Sequence, residues 1–260
     1  MRHSLLFLIL VYNINMSSSL SSNNNRKLII DIETVGENFD SLDEITKNQL
    51  THWIRKESET EEDYNKALED LKNRLGFSPL TAEIVVIGLL DYDRNEGIVY
   101  FQAPNEKIED FQENGMRFHQ CSEKEMLEEF WRVANFYNYF ITFNGRTFDI
   151  PFIMIRSAIW KIKPTKNLMH SRYVSQQLPE AIHIDLADQL TFYGAVKGKK
   201  GLHFWTRAFG IESPKSFGVT GDDVGRLFGE KKYLEIARYN VLDLKATREL
   251  FKYWNEYLNI

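Results

Sequence analysis

The sequence predicts an α/β domain with a mixed sheet. Three observations carry that expectation: an apolar strand pattern at Lys27–Glu33, a hairpin pattern at Glu83–Leu90 and Gly97–Phe101, and strand and helix patterns that then alternate up to a long final helix. With 43% hydrophobic and 27% charged residues over 260 positions, the chain has enough apolar material to bury a core and too little bias to be fibrous or disordered. Its single cysteine, Cys121, permits no internal disulfide and fits a reducing compartment.

Residues 1–25 are set apart as a disordered or targeting tail. Arg2 and His3 precede the apolar run Leu5–Tyr12, which is shorter than the ~20 residues needed to span a membrane. It leads into Ser17–Ser22 and Asn23–Asn25 rather than a small-x-small cleavage site. A cytoplasmic location is expected, with targeting or secretion as the alternative and Met16 as a second candidate start. No later segment is a membrane-span candidate, so no membrane partner is expected.

The domain is expected to occupy residues 26–260. Lys27-Leu-Ile-Ile-Asp-Ile-Glu33 reads as a buried strand, rich in β-branched residues, whose end carries two acids. An acidic insert of about 38–78 follows, with Leu42, Ile45, Leu50, Trp53, Leu68 and Leu71 among helix formers; a pair of helices or a mobile flap is expected there. The hairpin is joined by the polar stretch Asp91–Glu96. Ser122 with Glu125 forms a capping box that opens an amphipathic helix through Phe136. A strand over Tyr139–Phe143 then passes through Asn144-Gly145 into a helix from about Asp149, with Phe152, Ile153, Ile155 and Ile159 on its apolar side. Ile182–Asp185 reads as a strand, Leu202–Phe209 as a short helix, and Lys231 to about Leu258 as the final one.

The net charge of -5 at first argues against a nucleic-acid partner, because phosphates attract basic surfaces. The acidity, however, is local. Glu37–Asp70 holds eleven acids against four bases, which leaves +2 for the rest of the chain. Two basic stretches are candidates to face a phosphate backbone: Arg156, Lys161, Lys163, Lys166 and Arg172 in one, and Lys197, Lys199, Lys200, Arg207 and Lys215 in the other.

Asp31 and Glu33 are two residues apart, so on a regular strand both carboxylates project to one face. Such a pair repels unless cations bind between its members. Asp149 sits where a strand passes through a glycine-containing turn into a helix, and Asp243 shares a helix face with Tyr239 one turn earlier. Four acids and a tyrosine from separate elements can therefore meet at the edge of the sheet. Hard oxygen ligands suit Mg²⁺ or Mn²⁺, whereas the lone cysteine and the lack of paired histidine spacing disfavour zinc.

These residues resemble the three motifs of the DEDD superfamily of 3′ to 5′ exonucleases. Asp31-Ile-Glu33 is similar to the first motif, Asn144-x-x-x-Phe148-Asp149 to the second and Tyr239-x-x-x-Asp243 to the third. Arg238 stands where the other branch of the superfamily has histidine, so Tyr239 points to the tyrosine (DEDDy) branch. Phe143–Pro151 and His183–Leu186 look most like stand-alone exonucleases related to the proofreading domain of family-B DNA polymerases. The resemblance implies a ribonuclease H-like, mixed five-stranded sheet flanked by helices. It also implies a two-metal mechanism with two Mg²⁺ or Mn²⁺ ions, in which Asp31 bridges both ions and Glu33 and Asp243 complete the nucleophile side. Asp149 would act on the second ion partly through water, and Tyr239 would orient the attacking water.

Asn144 and Phe148 are candidate contacts to the terminal nucleotide, although Asn144 also reads as an ordinary helix cap and Phe148 as core packing. Lys199 and Lys200 are candidate phosphate contacts, and His183 with Asp185 is read as structural. The expected substrate is single-stranded nucleic acid with a free 3′ end, DNA in preference to RNA. An exoribonuclease and a non-catalytic ribonuclease H-like binding or scaffold module are the alternatives. Because the chain ends soon after the third motif, proofreading is expected only in trans, beside a polymerase or repair partner.

Overall fold

The computed structural model describes residues 25–198, 201–213 and 220–260. Strand β1 (Lys27–Gly36) lies near the middle of a seven-stranded sheet that also contains β2 (Ala82–Asp91), β3 (Glu96–Phe101), β4 (Phe111–Glu113), β5 (Met116–Gln120), β6 (Tyr139–Thr142) and β7 (Ile182–Asp185). Their order across the sheet is β4-β5-β3-β2-β1-β6-β7. The five strands expected from the sequence are its β3-β2-β1-β6-β7 part, antiparallel from β3 to β1 and parallel from β1 to β7. The β4–β5 hairpin adds two more at the edge, with β5 parallel to β3. The fold is thus the mixed, ribonuclease H-like α/β architecture.

Alternation along β1 divides the core. Leu28, Ile30 and Ile32 pack with Ile87, Leu89 and Phe140 beneath helices α3 (Glu123–Ala134) and α4 (Asp149–Ile159), which supply Met126, Leu127, Phe130, Ile150 and Ile153. Ile29, on the opposite face, packs with Val86, Val99 and Ile141 against α8 (Tyr233–Tyr257), through residues such as Ile236, Leu244 and Phe251. Each fully buried Ile or Leu stabilises by roughly 1.5–3 kcal/mol. Asp31 and Glu33 continue the Ile29 side of the strand and therefore face α8. Among the described residues, no helix is long and apolar enough to cross a membrane.

The acidic insert is a pair of helices, α1 (Glu44–Glu57) and α2 (Glu61–Arg74), capped by Asp43 and Thr60 and led by acids in their first turns. A tight seam between the insert and the sheet runs through the end of β1. Thr34 Oγ1 donates to the Gly76 carbonyl at 2.6 Å, and a Cβ on Gly36 would lie 2.7 Å from Gly76 N. The remaining described α-helices are α5 (Leu186–Leu190), α6 (Leu202–Ala208) and α7 (Val224–Gly229).

Candidate functional site

The carboxylates of Asp31, Glu33 and Asp243 lie within 4.8 Å of one another. Strand pleating brings the first two to one face. Helix α8 brings the third across, because Ala237 and Leu244 pack against that face of the sheet and carry Asp243 with them. The ladder between β1 and β2 shifts register between Glu33 and Thr34, so the bulge falls at the site itself. Burial, followed by repulsion from Asp243 and Asp149, holds the protons of Asp31 and Glu33 well above the usual carboxylate range.

Asp149 joins the group from the other face of the sheet. It is the first residue of α4, 4% exposed, and its Oδ1 accepts from the Ile32 amide at 3.1 Å. It thus clasps β1 between Asp31 and Glu33. Burial pushes its carboxyl up to about 7, against the pull of the backbone amides that donate to it. Tyr239 is 7% exposed and shares a side-chain hydrogen bond with Asp243. Burial and then the charges of Asp243, Glu33 and Asp31 raise its hydroxyl above the ordinary tyrosine value, which keeps it protonated and a donor. All five residues singled out for chemistry therefore converge, three in a close cluster and two bonded to its members or its strand.

The second motif is positioned by a residue outside the chemistry. Asp185 Oδ1 accepts from the amides of Asn144 (2.8 Å) and Ala187 (2.9 Å), and Oδ2 accepts from the Arg146 amide (2.9 Å). Asn144 is exposed, has a φ of 64° and accepts from Thr147 Oγ1 at 2.8 Å through Oδ1. It is thus not the cap of α4, whose flanking residue is Phe148. Gly145 follows it because a Cβ there would sit 2.4 Å from Thr142 Oγ1. Phe148 is part-buried, 5.4 Å from the Phe152 ring and 6.3 Å from Phe77 of the insert. His183 is buried and neutral, with burial lowering its proton affinity to about 3, and its Nε2 and Nδ1 pair with Thr142 Oγ1 and the Leu168 carbonyl. Its ring nitrogens, like the carboxylate oxygens of Asp185, are taken up by hydrogen bonds within the protein.

The first basic stretch is less available than its composition suggests. Arg156 is drawn into the protein by Glu123, donating through Nε at 2.8 Å and Nη2 at 2.7 Å. Arg172 pairs with Asp188, and Lys166 donates to the Glu180 carbonyl. Lys161 and Lys163 remain exposed. Lys199, Lys200 and Lys215 lie outside the described residues.

Sequence reasoning missed Asn240. It is fully buried and donates through Nδ2 to Asp31 Oδ2 at 2.7 Å. Its position, next to Tyr239 in an amphipathic helix, carries no signal without knowledge of which strand faces it.

The donor set fits divalent cations: three oxygen-bearing side chains meet, buried enough to repel one another, with no cysteine or histidine among them. Comparison with curated proteins finds no match. A family model described as a predicted 3′-5′ exonuclease related to the exonuclease domain of PolB matches residues 94–255, more than half of the chain. The matched part contains Asn144, Asp149, Tyr239 and Asp243. Asp31 and Glu33 precede it, and the fold brings them to Asp243.

Proposed function

The chain belongs to that family of predicted 3′-5′ exonucleases related to the exonuclease domain of PolB, and from this premise we propose that it is a two-metal hydrolase of 3′-terminal phosphodiester bonds in single-stranded nucleic acid, DNA in preference to RNA. The observation that carries the proposal is the convergence of Asp31, Glu33 and Asp243 within 4.8 Å, with Tyr239 bonded to Asp243.

Asp31, Glu33 and Asp243 would hold one Mg²⁺ or Mn²⁺ ion, and Asp31 with Asp149 the second. When bound, the ions supply charge neutralisation at the scissile phosphate and a water acidic enough to attack it. The protein's own groups do the rest. The mutual repulsion of the acids favours cation entry, since each ion relieves charge that the fold has brought together. Tyr239, held protonated and fixed by its hydrogen bond to Asp243, would accept a hydrogen bond from the attacking water through its hydroxyl oxygen and so orient it. Asn144, exposed at the turn that Asp185 clamps, would meet the terminal nucleotide, and Phe148 would pack against it.

The deciding experiment uses matched 5′-labelled DNA and RNA single strands, each with a free or a blocked 3′ end, in Mg²⁺, Mn²⁺ or chelator. The expected result is a ladder shortening from the free 3′ end, faster for DNA, lost in chelator and lost in Asp31→Ala and Asp243→Ala. Equal cleavage in chelator would sink the two-metal reading; faster cleavage of RNA would overturn the DNA preference; and binding without cleavage would favour a non-catalytic module.

A further inference from the structure

Asp31 on β1 pairs across the ladder with Gly88 on β2, so a side chain at position 88 would stand on the same face, beside the carboxylate. That place is taken from the other direction. A Cβ on Gly88 would lie 1.9 Å from Asn240 Oδ1 and 2.6 Å from Leu244 Cδ1. Asn240, reaching down from α8, fills the notch left by the missing side chain and donates to Asp31 Oδ2 at 2.7 Å.

The amide is only half satisfied. Asn240 Oδ1 is buried and has no hydrogen-bond partner. An apolar residue of the same bulk would fill the notch without stranding a carbonyl, so packing alone does not account for an asparagine here. What the asparagine contributes, and leucine would not, is a donor to one oxygen of Asp31, which fixes the carboxylate's rotation and leaves its other oxygen to the cluster. Groups that hold a metal-binding carboxylate in this way typically govern metal affinity and turnover.

We propose that Asn240 is a positioning residue for Asp31, aligning its carboxylate for a divalent cation, and that Gly88 is the gap this arrangement requires. The inference rests on the metal-site reading above and adds a residue to it. Asn240→Leu keeps the bulk and removes the donor. Mn²⁺ binding, measured by calorimetry without nucleic acid, should weaken by about 10- to 100-fold. On a single-stranded oligonucleotide kcat should fall with KM little changed, while the melting temperature in chelator is held or raised because the stranded carbonyl is gone.

Gly88→Ala should reproduce the metal defect without touching an acid, by displacing the amide. Because the two substitutions remove the same bond, adding Asn240→Ala to Gly88→Ala should bring no further loss of Mn²⁺ affinity. Asn240→Ala supplies the second single variant should the leucine variant fail to fold. Wild-type Mn²⁺ affinity and kcat in either folded Asn240 variant would overturn the proposal, as would independent, additive effects at 88 and 240. If the wild-type protein itself binds no Mn²⁺, the metal-site reading falls and this inference falls with it. If the wild type binds and the variants match it, only the role of Asn240 is lost.

Discussion

The Ile32 amide donates to Asp149 Oδ1 at 3.1 Å, so the strand bearing Asp31 and Glu33 is latched between those two acids to the helix bearing the other-face acid. The contact makes the placement of Asp149 part of the strand's own geometry. It also ties the protonation of a buried group to the integrity of the sheet.

That coupling gives a pH dependence with a defined sign. Asp149 has a folded-state pKa raised to about 7, so the native state holds a proton that the unfolded chain releases at lower pH. Its contribution to the stability of the metal-free protein is therefore complete below the ordinary carboxylate value and is lost as pH rises through it to about 7, by an amount on the order of a few kcal/mol. Denaturant titrations in chelator across that window should show stability falling with pH, and Asp149→Asn should flatten the curve. A wild-type curve that rises with pH through the same window would refute it.

Tyr239→Phe removes a hydroxyl that donates to Asp243 and leaves the ring in place. The fold should persist, with turnover reduced by about 10²-fold or more, in the range typical of positioned acid-base groups. Because the wild-type hydroxyl stays protonated above the ordinary tyrosine value, the pH–rate profile should show no alkaline loss assignable to it below about 10. A phenylalanine variant with wild-type kcat would remove Tyr239 from the mechanism.

Asp185 accepts three backbone amides, two of them from the turn that presents Asn144. Asp185→Ala should cost about 2–4 kcal/mol, while Asp185→Asn, which can keep the bonds to Oδ1, should cost about 1 kcal/mol. Hydrogen exchange gives the local check: the Asn144 and Arg146 amides should exchange faster in the alanine variant, with those of β2 and β3 unchanged.

Glu123 is 2% exposed and joins three elements, accepting from the Ile84 amide, from Arg156 and from Trp160 Nε1. Removing either member of the Glu123–Arg156 pair leaves the other charge stranded, so Glu123→Ala or Arg156→Ala should cost about 3–5 kcal/mol. Since Arg156 is occupied with Glu123, Arg156→Met should leave the salt dependence of nucleic-acid binding unchanged; a shallower slope would return it to the phosphate-binding surface.

The strands and helices that position the acids are legible in the sequence because each obeys one local rule. Ile182–Asp185 is visible as a short β-branched run, and Ser122 with Glu125 as a reciprocal cap that the structure reproduces. The β4–β5 hairpin was missed although Asn114-Gly115 marks a tight turn, with φ of 51° and 81°. Its flanks carry Gln112, Glu113, Arg117, His119 and Gln120, too polar to register as strands, and the apolar alternation is limited to Phe111, Met116 and Phe118. At the site, the motif acids declare themselves by spacing. Asn240 does not, because its meaning depends on a glycine in another strand. Arg156 misleads, because composition records its charge and not the buried glutamate that takes it up.

Asn240 and Asp31 are 209 residues apart along the chain, and the same α8 carries Tyr239 and Asp243 to the first strand. Contacts between residues so far apart in sequence raise the contact order of the fold and slow its formation. A chain still lacking α8 has its earliest acids in place and nothing to complete them. On the proposed function, activity is therefore expected to arrive in one step, when the last helix docks, rather than to grow with the length of chain already folded.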